Sequence, residues 1–361
     1  MASKRIEYLD AVKGFAIFLM VFAHAIGWNV TDDAKMVAMD YSQPIASAAK
    51  GLLWRLVYSF HMPLFFMVSG YFLTLIGSDL TCAEKRDTFW KQLKNKSQRL
   101  LVPYFVTGFL MLAAKGYYGY WFLFGLWEIS VMALAASYVL SYVNRGNRVW
   151  IDIVAWLLFF CIVKTLLPAL PQNCIVEFDR SMWCIPAFIV GMLLRKFDLL
   201  QNTPPSMVLI VSLLYVMSFG AEYLPYTHVP AFDIVARIAG TGMWQYMVSI
   251  LGSLTVIGLF KILYGHIDGH RWRHGFCKLF EYLGLFSMEI YIIHIFLVIR
   301  LPYIGDWIIS QHPALTVMLQ FAYSLAITCI AVAGSVVIGR LIHKEKHISA
   351  LLFGTKISQS H

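Results

Sequence analysis

The stretch 8-YLDAVKGFAIFLMVFAHAIGW-28 decides how this chain is read. It opens with Asp10 and Lys13, runs apolar for ten residues, and then places one histidine, His24, among Phe, Ala and Ile. As a helix it rises about 1.5 Å per residue, which sets His24 roughly 16 Å beyond Lys13. Eleven residues at about 100° each leave the two side chains only about 20° apart in azimuth. One face therefore carries a cation at its end and a titratable imidazole deep along it. If the helix crosses a bilayer, the imidazole lies near mid-membrane.

The rest of the chain supports that setting. Of 361 residues, 59% are hydrophobic and only 14% charged, with a mean hydropathy of +0.67. A soluble domain carries about 25% charged residues. The apolar residues fall in runs near the length needed to cross about 30 Å of hydrocarbon. The expectation is an all-α polytopic membrane protein, and the short alternating segments of a β-barrel are missing. The net charge of +9 is explained by basic residues gathering on the cytoplasmic side of a membrane protein, with no call for nucleic acid. Lys4 and Arg5 before an apolar run imitate a signal peptide, but the many later spans make this an uncleaved first helix.

Ten spans are expected, at about 13–30, 52–77, 99–115, 119–143, 149–169, 182–195, 206–222, 238–264, 279–300 and 314–340. Residues 78–98 read as a separate interfacial amphipathic segment. Alternating the spans from a cytoplasmic N-terminus puts 21 of the 29 Lys and Arg on the inner side and eight on the outer. That bias predicts both termini in the cytoplasm and an inner-membrane, multi-pass location. Residues 1–361 read as a single membrane domain.

Ionisable groups in a span are costly and face a cavity or a partner. His24, His61, Glu128 and Glu289 each lie about nine to eleven residues into their spans, near the midplane. A histidine with a carboxylate in a dry interior suits general base chemistry. The plain alternative is that these groups hydrogen-bond between helices and hold the bundle. Four at one depth favour a site. On the inner side, Lys13, Lys94, Lys96 and Arg99 gather, with Lys96 and Arg99 three apart on one helix face. Positive-inside topology accounts for them on residues alone, and an anion site for donor phosphates is the functional alternative. Pro63 and Pro103 fall inside predicted helices. Trp and Tyr residues over 117–127 serve equally as an interfacial belt or a stacking surface. The six cysteines have no metal-ligand spacing, so no metal is expected. Cys174 and Cys184 flank one predicted outer loop and are within reach of a disulfide. Asn29-Val30-Thr31 is formally a glycosylation sequon abutting the membrane.

These motifs resemble the acyltransferase-3 family of integral membrane acyltransferases. YLDAVKGFAIFLMVFAH is similar to its N-terminal signature, in which Lys or Arg precedes a catalytic His with ten residues between them, here Lys13 and His24. FHMPLFFMVSGYF at 60–72, KSQRLLVPYF at 96–105, WFLFGLWEI at 121–129 and LGLFSMEIYIIH at 283–294 resemble its later motifs in order. The family's basic motif commonly starts with Arg where this chain has Lys96. The resemblance is closest to the fucose 4-O-acetylase-like branch. It implies transfer of an acyl group, usually acetyl from acetyl-CoA, to a hydroxyl of a cell-surface glycan or lipid-linked sugar. It implies an essential His24 and CoA phosphates held by Lys13, Lys96 and Arg99. Glu289 and His61 are the candidates to orient or relay protons. Asp10, Trp121, Glu128, Ser287 and His294 are the candidates for substrate contact. Some relatives carry an extra extracytoplasmic domain. The expectation here is a membrane domain without one, among membrane lipids, with self-association left open. The rival expectation is a proton-coupled secondary transporter of sugar or acyl compounds, which the same midplane groups fit.

Overall fold

The computed structural model describes residues 5–29, 48–116, 119–166, 181–227, 241–266 and 270–355, with 229, 234, 237 and 238 between them. Asp32, Asp33, Asp40, His228 and the proposed disulfide partner Cys174 lie outside the described residues. All regular structure among the described residues is helical.

The chain divides into two compact units, Met1–Phe65 with Asn202–Arg340, and Phe66–Gln201 with Leu341–His361. The first unit is built around α1 (Glu7–Asn29), whose first turn carries Glu7 and Asp10 at the positive end of the helix dipole. Helix α2 (Leu52–Tyr71) starts in this unit and ends in the other. The second unit continues with α3 (Cys82–Lys115), α4 (Trp121–Val143), α5 (Val149–Leu166) and α6 (Ile185–Lys196). The first unit resumes with α7 (Pro205–Ala221), α8 (Gly242–Gly265), α9 (Arg271–Leu285), α10 (Ser287–Leu297), α11 (Pro302–Ser310) and α12 (Pro313–Ile342). A last helix, α13 (Lys346–Phe353), packs on α3.

Six of these helices, α1, α2, α3, α4, α8 and α12, are long and apolar enough to cross a membrane, and α9 with α10 makes a seventh if the bent pair counts as one span. Two features differ from the sequence reading. The interfacial segment is not separate: residues 82–98 and the third span form one 34-residue helix. It starts with a capping box, in which Thr81 Oγ1 accepts from Glu84 N and the Glu84 carboxylate accepts from Thr81 N. It contains Pro103 without ending there. Pro103 has no N–H to give the Arg99 carbonyl, and Gly354, at φ 63°, backs onto that same carbonyl with no room for a Cβ.

The second difference is larger. The stretch read as one span over 279–300 is two helices that meet at 82°. Phe286 closes α9 through its N–H to Leu283 O and opens α10 through its carbonyl to Ile290 N. No proline marks the break. The cause is packing against α1. Gly14 and Gly284 face each other so closely that a Cβ on Gly14 would strike the Phe280 carbonyl, and one on Gly284 the Asp10 carbonyl. Glycine alone permits this backbone-on-backbone crossing. Phe15 and Phe18 interleave with Phe280 along the same seam. Helix α9 thus stays pinned to the N-terminal half of α1, and the turn at Phe286 sends α10 off in a new direction. Counting Glu289 to the midplane assumes one straight span over 279–300, which the bend divides. The second unit holds an equivalent seam, where Gly70 meets the Phe188 backbone and Gly191 meets the Met67 carbonyl.

Candidate active site

His24 lies three-quarters of the way along α1 and is half-buried. The bend places His294 of α10 beside it, with His24 Nδ1 2.9 Å from His294 Nε2. His294 is buried, and its Nδ1 lies 2.8 Å from the Ile290 carbonyl. This short chain fixes the protons of a neutral pair. A carbonyl only accepts, so His294 Nδ1 carries the hydrogen and donates it. His294 Nε2 is then a lone pair, which accepts from His24 Nδ1–H. The lone pair of His24 accordingly resides on Nε2, the ring atom farther from the helix backbone.

The rings are held in plane as well as in tautomer. The two imidazoles lie 11° from parallel, and Trp28 stacks on His24 at 4.8 Å and 7°. Trp28 is one turn beyond His24, so helical spacing puts it over the same face. The Arg300 guanidinium lies 4.7 Å from the Trp28 ring centre, a cation–π contact. Asn29 fastens this end of α1. Its Nδ2 donates to Ala25 O and Ile299 O, and its Oδ1 accepts from Leu301 N and the Tyr323 hydroxyl. With both amide hydrogens donated and the side chain buried, Asn29 is a structural clamp and not a glycan acceptor.

The remaining candidates distribute as follows. His61 is buried on α2, its Nδ1 hydrogen-bonded to the carbonyl of Val57 one turn back and its ring edge-on to Tyr58. Val57 itself packs on Phe22, Ala23 and Ile26, which brings α2 against α1 beside His24. Glu289 is buried in the first turn of α10 against Gly339, where a Cβ would come 2.9 Å from its own. Five residues from His294, Glu289 projects about 140° around the helix from it. Ser287 is the first residue of α10 and half-buried. In the second unit, Trp121 begins α4 and Glu128 is buried about two turns on.

The N-terminal end of α1 holds a charge network. Asp10 takes Lys13 at 2.5 Å and Arg5 at 2.6 Å. Arg5 also reaches Glu281 at 2.8 Å, and Lys278 joins Glu281 to Glu7 at 2.8 and 3.1 Å. Three cations meet three carboxylates. The hydrogen bond to Asp10 raises the Arg5 pKa above its ordinary value, so Arg5 keeps its charge. Lys96 and Arg99 on α3 contrast with Lys13: neither is in an ion pair among the described residues. Lys96 is half-buried and Arg99 exposed. Between them Ser97 Oγ accepts from Trp127 Nε1 of α4 at 2.9 Å. Among the described residues no three His, Cys, Asp or Glu side chains gather as a metal-binding group.

Sequence reasoning missed Trp28, Asn29, Arg300, Tyr323 and the Ile290 carbonyl. Of these only Trp28 carried a local signal, the i, i+4 spacing from His24.

The fold and the candidate site describe a multi-pass helical membrane protein with a hydrogen-bonded histidine pair between α1 and α10. The family model described as "Acyltransferase domain" matches residues 6–340, and the chain belongs to the acyltransferase-3 family. No curated protein and no solved structure matches it.

Proposed function

We propose that this acyltransferase moves an acetyl group from acetyl-CoA to a hydroxyl of a cell-surface glycan or its lipid-linked precursor, with His24 as general base. The observation that carries the reading is the Ile290 O–His294–His24 chain. In the reaction, His24 Nε2 takes the proton of the acceptor hydroxyl as its oxygen attacks the thioester carbonyl. The tetrahedral intermediate collapses, the carbon–sulfur bond breaks, and the imidazolium returns the proton to the leaving thiolate. His294 is the positioning residue: it holds the tautomer and accepts a hydrogen bond from His24 Nδ1–H throughout, the task a carboxylate performs in many His-based sites. Lys96 and Arg99 bind donor phosphates through charge-assisted hydrogen bonds, with Lys13 secondary because Asp10 already holds it. Glu289 and His61 are proton-relay candidates. Asp10, Trp121, Glu128 and Ser287 are candidates for substrate contact.

The membrane setting of this proposal is ten spans in an inner membrane with both termini cytoplasmic, within one acyltransferase domain. The charge asymmetry of the loops supports it, and the family match across both units supports a single domain. Transport without chemistry does not account for membership of an acyltransferase family.

Purified protein incubated with acetyl-CoA and a hydroxylated sugar acceptor is expected to release free CoA and add one acetyl mass to the acceptor. CoA release that is absent with every acceptor tried, from protein that binds acetyl-CoA, would remove the reading.

A further inference from the structure

A second site is carried by the second unit. Helices α4 and α5 diverge from the loop 144–148 and leave between them a groove of about 580 Å³. Its walls are aliphatic and aromatic, and large side chains along it are exposed: Val139, Val143, Trp150, Val154, Leu158 and Ile162. From Trp150 to Ile162 the groove runs twelve residues of α5, about 18 Å. That is close to one leaflet, half of about 30 Å of hydrocarbon. The groove therefore fits a single lipid chain that starts at the loop and ends near the bilayer centre.

The mouth of the groove has the opposite character. The loop reads Asn144-Arg145-Gly146-Asn147-Arg148, and its two arginines are exposed and in no ion pair among the described residues. Asn144 fixes the loop by donating to Arg148 O and accepting from Arg148 N. The one carboxylate close by in sequence, Asp152, is fully buried and held by Lys196 at 2.6 Å, so it does not neutralise the arginines. Trp150, 61% exposed, stands where chain meets headgroup, the position such rings favour at an interface.

We infer that the α4–α5 groove is a binding site for one anionic phospholipid, its chain along Val154 and Leu158 and its headgroup at Arg145 and Arg148. Cations at a membrane surface attract anionic headgroups by about 1 kcal/mol each, whereas the apolar groove has no preference among lipids. The preference thus belongs to the arginines and the retention to the groove.

The test uses the full chain in vesicles of equal parts phosphatidylglycerol and phosphatidylcholine, extracted gently and read by native mass spectrometry. The expected result is one retained phosphatidylglycerol, preferred about tenfold or more over phosphatidylcholine. Arg145→Gln with Arg148→Gln is expected to erase the preference, and Arg145→Lys with Arg148→Lys to keep it. Ala155→Trp, which fills the groove, is expected to lose the bound lipid of either kind. Equal retention of both lipids by the parent chain overturns the inference. So does a preference unchanged in the Gln pair, or a groove that cross-links to a second copy through a cysteine placed at Val154. None of these outcomes bears on His24, so the site stands or falls apart from the acyl-transfer reading.

Discussion

Two sets of cations in this molecule look alike in sequence and differ in structure. Lys13, on α1, lies in a network with Arg5 and Lys278 where every positive charge has a carboxylate within 3.1 Å. Lys96 and Arg99, on α3, have no such partner among the described residues. A cation already neutralised gains little from a phosphate, because the gain must cover the loss of its existing partner. An uncompensated pair three residues apart on one face keeps its full attraction. The family resemblance gave all three the same task. The structure separates them into a fastening for the N-terminal end of α1 and a candidate anion site.

The variants that probe this contrast differ in size. His24→Ala removes the proposed base, and kcat is expected to fall about 10²–10⁴-fold with donor binding intact. A smaller drop would move the base elsewhere. His294→Ala is expected to cost about ten- to a hundredfold in kcat, the worth of one buried hydrogen bond to a group that becomes charged. His294→Gln, which offers an acceptor from a similar place, should recover part of it. The double variant with His24→Ala should be no worse than His24→Ala alone, since His294 acts only through His24.

Lys96→Ala combined with Arg99→Ala is expected to raise the donor KM about ten- to a hundredfold with a lesser change in kcat, as loss of charge-assisted bonds in the bound complex should. Calorimetric titration with CoA checks the binding part directly. Gly284→Ala addresses the seam that shapes the active site. Overpacking costs about 1–3 kcal/mol or more where backbone must shift, and thermal unfolding in detergent should show a lowered midpoint. Lys13→Ala is the smallest. Its ion pair is part-exposed and worth about 1 kcal/mol at most, so the donor KM should change by less than about tenfold. If Lys13→Ala matches the Lys96/Arg99 pair, the contrast is reversed and the network at α1 is the donor site.

The parts of the site differ in how far sequence could reach them. His24 was legible because everything that defines its place is local: a continuous apolar run, a helical rise, and a lysine that fixes the inner end. Trp28 was legible in principle from its spacing. His294 was visible as a residue, but its relation to His24 was not. The pair lies 270 positions apart, and counting along 279–300 as a straight helix pointed to Glu289 as the partner at the right depth. The bend at Phe286 has no proline to announce it. It follows from Gly14 and Gly284 meeting face to face, and the closeness of two glycines on different helices is not a property of either stretch.

By itself, then, the sequence determined that the chain is helical and membrane-embedded and that α1 carries a histidine far along one face. Each of these follows from period, length and composition, which act over a few turns. Only the tertiary structure decided which groups share their protons and charges. It put His294 on His24, gave Lys13 to Asp10, and left Lys96 and Arg99 without a carboxylate partner among the described residues. The physical reason is range. Helix formation is settled by neighbours within four residues, whereas a hydrogen bond or an ion pair is settled by ångströms between atoms that the chain brings together only when its helices have packed.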